Sequence, residues 1–120
     1  MSTLRVNTLE DAAGTGQPAM AGAAKAWVNF NGTGTVAIRG QFNVSSITDN
    51  GTGLYTVNFA TPMQDVNYSV KITSTNPYNT FAGEQLGLVG TPNSTSSIQI
   101  RNANTGTAYD TSIACVAVFR

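Results

Sequence analysis

The chain has 120 residues, six basic and six acidic side chains, no histidine, one cysteine and a formal net charge of zero. That length suits one domain with a single core, and the charge balance excludes electrostatic capture by nucleic acid or by an anionic membrane surface. Without histidine there is no imidazole-based triad and no histidine metal site, and a lone Cys115 allows neither an intrachain disulfide nor a cysteine-rich zinc site.

From Met1 to about Gly22 large apolar side chains are sparse (Leu4, Val6, Leu9, Met20), and residues 12–18 read as a flexible connection. Such an arm cannot bury itself. The alternation of Leu4 and Val6 predicts a short strand that adds to another sheet. Residues 1–22 therefore read as an arm and linker, and 23–120 as the folded domain. The N-terminus lacks a basic stretch followed by an apolar core, and no apolar run reaches membrane-spanning length. Synthesis in a cytoplasm, without an export signal and without membrane insertion, is the expectation.

After Ala23 the apolar pattern takes period two. Ala26, Val28 and Phe30 alternate with Lys25, Trp27 and Asn29. The Asn31-Gly32-Thr33-Gly34 turn then leads to Val36 and Ile38, a hairpin signal. Phe42 and Val44 continue that strand on one face. Asn50-Gly51-Thr52-Gly53 makes a second turn before Tyr55, Val57 and Phe59, and Pro62 closes that strand. Tyr68, Val70 and Ile72 form another alternating set. Leu86 to Val89, Ile98 with Ile100, and Ile113 to Phe119 predict three more strands. About seven or eight short strands with glycine-rich turns and no helical period predict an all-β chain, an antiparallel β-sandwich or jelly-roll-like domain with a short extended N-terminal arm.

The last strand is apolar on both sides. Ile113, Cys115, Ala117 and Phe119 share one face, and Ala114, Val116 and Val118 make the other apolar as well. The second face is covered either by the other sheet or a loop of the same chain, or by a neighbouring subunit, which would make Ala114, Val116 and Val118 interface residues. Trp27, opposite the Ala26, Val28 and Phe30 face, poses the same question. Cys115, inside the most apolar run, reads as a buried small hydrophobe.

The acids Glu10, Asp11, Asp49, Asp65, Glu84 and Asp110 show neither calcium-loop spacing nor a carboxylate pair on one element. The two Gly-Thr-Gly triplets lack the following helix and lysine of a phosphate loop and read as hairpin turns. No catalytic, metal or cofactor site is expected. Residues 75–84 break the alternation while carrying aromatics. Asn76, Tyr78, Asn79 and Phe81 there are the candidate contacts for a host surface glycan or protein, the alternative being a packed loop that caps the sandwich.

The run MSTLRVNTLEDAAGTG, Met1 to Gly16, is similar to the N-terminus of short tail-fibre and related virion proteins of bacteriophages, particularly those of cyanobacterial and marine hosts. The run AKAWVNFNGTGTVAIRGQFNVSSITDNGTGLYTVNFATPMQDVNYSV, Ala24 to Val70, resembles the fibre domain that follows in those proteins. In longer relatives a spacer separates the two, where this chain has only Gln17 to Ala23. The resemblance implies a homotrimeric appendage of the virion. Its arm, through Leu4, Val6 and Leu9, would bind other virion proteins, and its β-domain would project towards the host surface. A head decoration or a baseplate or tail adaptor with a purely structural role is the alternative.

Overall fold

In a computed structural model the described residues are 2–7, 23–75, 84–88, 94–104 and 106–120, with 84–88 and Asn104 described by their backbone alone. They form nine strands and no helix: β1 Ala24–Asn31, β2 Ala37–Phe42, β3 Val44–Gly51, β4 Leu54–Phe59, β5 Ser69–Ser74, β6 Glu84–Leu88, β7 Ser97–Asn104, β8 Thr107–Ala108 and β9 Ala114–Phe119. All pairings are antiparallel. One sheet, A, has the order β2-β1-β9-β5, and the other, B, has β3-β4-β7-β6 with β8 paired to β7. The chain is a β-sandwich, as its alternating pattern predicts.

Alternation decides what fills the space between the sheets. Ala26, Val28 and Phe30 of β1 and Ala114, Val116 and Val118 of β9 face Tyr55, Val57 and Phe59 of β4 and Ile98 and Ile100 of β7, all buried. Each large side chain in this layer stabilises the fold by roughly 1.5–3 kcal/mol. Phe30 meets Tyr55 edge-on at 5.2 Å between ring centroids, and Phe59 meets Tyr68 at 5.9 Å. The Tyr68 hydroxyl, at the layer's end, donates to the Ser94 carbonyl at 2.9 Å. Burial raises its pKa.

Asn43 carries the chain from sheet A to sheet B. Its φ of 54° is left-handed, a conformation that asparagine tolerates better than most side chains. Its amide nitrogen donates to the carbonyls of Lys25 and Thr61, both at 3.0 Å, and its Oδ1 accepts the Thr61 amide at 2.6 Å. This corner overturns one expectation. Phe42 and Val44 do not share a face: Val44 enters the core, whereas Phe42 pairs with Trp27 on the outside of sheet A. An uninterrupted period of two fails where the backbone turns through the left-handed region.

The two glycine turns form as predicted, with Gly34, Gly51 and Gly53 at positive φ. Gly53 is also in close quarters. A Cβ built there would lie 2.5 Å from the Asn102 carbonyl oxygen and 2.7 Å from that of Tyr109. That approach lets Asn102 donate its backbone amide to the Gly53 carbonyl at 2.7 Å, while its buried side chain donates to Tyr109 at 3.1 Å and accepts from Ser74 at 3.1 Å.

Candidate functional site: the outer faces of the sandwich

Sheet register assigns each outward side chain to a row. On sheet B, Ser46 pairs with Asn58 and Thr48 with Thr56, and Gln99 follows Thr56, with Leu54 at the end of β4. Asn58 donates to Ser46 and Thr48 at 3.0 Å each, and Asn50 donates to Thr56 at 2.7 Å. Among the described residues, Ser46, Thr48, Asn50, Thr56 and Asn58 on this face thus bond to one another.

The outer face of sheet A differs. Its central row runs Phe42, Trp27, Ala117, Lys71 across four strands, with Gly40, Asn29, Cys115 and Thr73 in the next row and Ala24, Phe119 and Ser69 in the row on the other side. Trp27 is 43% exposed and Phe119 36%. The indole leans over Gly40: a Cβ there would lie 3.4 Å from Trp27 Cζ3 and 3.5 Å from Cη2, so the ring rests on bare backbone. Arg39 donates to Asn29 Oδ1 at 3.4 Å. The cations Lys25, Arg39 and Lys71 belong to this sheet, and none of its described strand residues carries a carboxylate.

This geometry corrects the assignment of Ala114, Val116 and Val118 to a subunit interface. They are 0%, 3% and 1% exposed, and the other sheet of the same chain covers them. The apolar face of β9 left over is the opposite one. Cys115, expected in the core, is half-buried on that outer face, because strand parity turns Ala114 and Val116 inward. Trp27 does lie opposite the Ala26, Val28 and Phe30 face. Phe42 is its neighbour in the row, which sequence periodicity hid because only the Asn43 corner reverses it.

The remaining site residues divide between exposed and undescribed segments. Leu4 and Val6 are 85% and 57% exposed and lie in no strand, so the strand expected there does not form in the single chain. Leu9 lies outside the described residues, as do Asn76, Tyr78, Asn79 and Phe81. Among the described residues no three acidic or cysteine side chains cluster as metal ligands, and no helix is long and apolar enough to cross a membrane.

Among the described residues, Asp110 and Asp65 each anchor a polar cluster away from these faces. The Tyr55 hydroxyl donates to Asp110 Oδ1 at 2.9 Å with the Gly32 carbonyl at 3.1 Å, and Asp110 also accepts the Gly53 amide at 2.8 Å. Burial, and then the Asp110 carboxylate, hold the phenol well above its ordinary pKa. At the C-terminus Arg120 grips Asp65 with two hydrogen bonds of 2.8 and 2.7 Å. The guanidinium, and then the Asn67 amide, hold that carboxyl well below the usual range. Both tie loops to the sandwich. No protein-family model, curated protein or solved structure matches the chain.

Proposed function

We propose that this chain is a non-enzymatic structural subunit of a bacteriophage virion. In this reading it is a short tail-fibre or fibre-tip protein, a homotrimer held to the particle by its N-terminal arm and presenting its β-domain to the host surface. The observation that carries the reading is the contrast between the domain and the arm. The sandwich closes its own core from residues 23 onward, while Leu4 and Val6 at 85% and 57% exposure contribute nothing to it. Apolar side chains on an extended segment outside the core are suited to docking on a second protein. The resemblance of Met1 to Gly16 and of Ala24 to Val70 to fibre proteins names the class of that protein as another virion component.

The test is to locate the protein in an electron cryomicroscopy map of particles, together with a chain lacking residues 1–22. A fibre subunit stands out from the particle at its distal end, and the shortened chain folds but is not incorporated. Incorporation of the shortened chain would refute the role of the arm. A position flush on the capsid would refute host contact and establish the purely structural alternative. At a fibre tip, Tyr78→Ala with Phe81→Ala reduces adsorption to host cells without dissociating the trimer.

A further inference from the structure

We propose that the Asn50-Gly51 pair at the tip of the β3–β4 hairpin is a site of spontaneous deamidation, at which water converts Asn50 into aspartate and isoaspartate. The chain has two Asn-Gly pairs, Asn31-Gly32 and Asn50-Gly51, and local sequence makes them alike. A glycine after asparagine leaves its backbone nitrogen unhindered, and its permissive backbone lets that nitrogen reach the side chain. The fold separates the two pairs. Asn31 ends β1 in register with Ala37, and its Oδ1 accepts the Thr33 amide at 3.0 Å and the Thr33 hydroxyl at 2.7 Å. Gly32 is buried. Its amide donates to the Thr111 carbonyl at 2.8 Å, its carbonyl accepts the Tyr55 hydroxyl at 3.1 Å, and a Cβ built there would collide with that same hydroxyl.

Asn50, by contrast, is the extra residue of a bulge. The β3–β4 register passes from Asp49 opposite Tyr55 to Gly51 opposite Leu54, which leaves Asn50 outside the paired positions. Asn50, Gly51 and Thr52 are all exposed. Gly51 stands at a φ of 127°, and among the described residues nothing lies within 4 Å of its Cβ position, so this peptide turns without displacing a neighbour. Its amide donates to Asp49 Oδ1 at 3.0 Å, and Asn50 Nδ2 donates to Thr56 Oγ1 at 2.7 Å, both bonds open to solvent. In the reaction the Gly51 nitrogen bonds to Asn50 Cγ and passes its proton to the Asp49 carboxylate. The Cγ–Nδ2 bond then breaks, and the side-chain nitrogen leaves as ammonia with that proton. One water opens the resulting succinimide: cleavage at Cγ gives aspartate, and cleavage at the main-chain carbonyl gives isoaspartate. Nothing is oxidised or reduced. The product adds a carboxylate beside Asp49 in a chain of zero net charge and removes the amide that Thr56 receives. In isoaspartate the main chain also lengthens by a methylene just before Gly53, whose amide and carbonyl join the tip to Asp110 and Asn102.

Cleavage after Lys25, Arg39 and Lys71 places the two pairs in separate tryptic peptides, 26–39 and 40–71. The full chain is held at mildly alkaline pH, folded in buffer and unfolded in urea. Samples taken over time are digested, and mass spectrometry with fragmentation locates the gain of about 1 Da that marks deamidation. In urea the two pairs are expected to react at equal rates. In the folded protein Asn50 is expected to react faster than Asn31 by about tenfold or more, because closure at Gly32 must first break its bond to Thr111 and part it from Tyr55. Asn50→Ser, a change at an exposed position, is expected to remove the gain from 40–71 and leave that of 26–39 unaltered. Equal rates in the folded protein, or a faster Asn31, overturn the proposal. A preference for Asn50 that persists undiminished in urea also overturns it, since the hairpin would then not be its source. So does a gain in 40–71 that survives Asn50→Ser. The inference does not rest on the fibre reading, and none of these outcomes bears on that reading.

Discussion

Replacing Tyr55 by phenylalanine isolates a single hydroxyl. The ring is fully buried and packed edge-on against Phe30, and phenylalanine keeps both the volume and that contact. What is lost is the proton donated to Asp110 at 2.9 Å, with the Gly32 carbonyl beside it at 3.1 Å. A hydrogen bond to a charged acceptor contributes about 1.5–3 kcal/mol. For a domain of this size that corresponds to a fall in Tm of roughly 6–20 °C at neutral pH. The substitution also has a signature in pH. The folded-state pKa of Tyr55 is raised above its unfolded value, so its contribution is complete below about pH 10 and is lost as pH rises from there towards the folded value. Tyr68 is shifted in the same direction by burial. While its folded form stays protonated, Tyr55 makes stability decline by about 1.4 kcal/mol per pH unit above pH 10, and Tyr68 adds to the decline in the same direction, so Tyr55→Phe is expected to flatten the alkaline slope without abolishing it. Urea unfolding followed by circular dichroism from pH 7 to 11.5 measures both effects. A midpoint unchanged at pH 7, or an unchanged alkaline slope, would refute the assignment of this hydroxyl as a structural tie.

Gly53→Ala is expected to abolish cooperative unfolding or to cost more than about 3 kcal/mol, because its Cβ would meet backbone atoms of Asn102 and Tyr109 that cannot move independently. Gly34→Ala, at a φ of 60° with no atom within 4 Å of its Cβ, should cost only about 1–2 kcal/mol by the same assay. At the corner between sheets, Asn43→Gly keeps the left-handed backbone but loses three side-chain hydrogen bonds, and Asn43→Ala loses both. The alanine variant is therefore expected to melt below the glycine variant, by about 1 kcal/mol, and equal melting temperatures would count against backbone strain there. For the Arg120–Asp65 pair, the depressed carboxyl pKa makes the contribution complete above the ordinary carboxylate range near pH 4 and lost as pH falls through the folded value. The small gap in Tm between wild type and Arg120→Ala should accordingly close on acidification, and a gap constant down to pH 2 would refute the ion pair as its source.

Local chemistry is enough to determine the strands of this protein. Val28 and Phe30, Tyr55 and Val57, and Ile98 and Ile100 alternate with polar residues, and that period of two is a property of the extended backbone itself. Asparagine and glycine at 50–53 make a hairpin turn in any surroundings because they tolerate positive φ. Alternation, however, defines two faces without saying which one is inside. For β9 both faces are apolar, and only the arrival of β4 and β7 across the layer makes Ala114, Val116 and Val118 core and leaves Cys115, Ala117 and Phe119 outside. The partnership of Phe42 with Trp27 depends in the same way on a single left-handed residue, Asn43, whose conformation is held by Lys25 and Thr61, eighteen positions away in each direction. Contacts at that separation leave no periodic trace in the sequence. The character of the outer face of sheet A is therefore written in individual residues, but its assembly into one surface belongs to the tertiary structure alone.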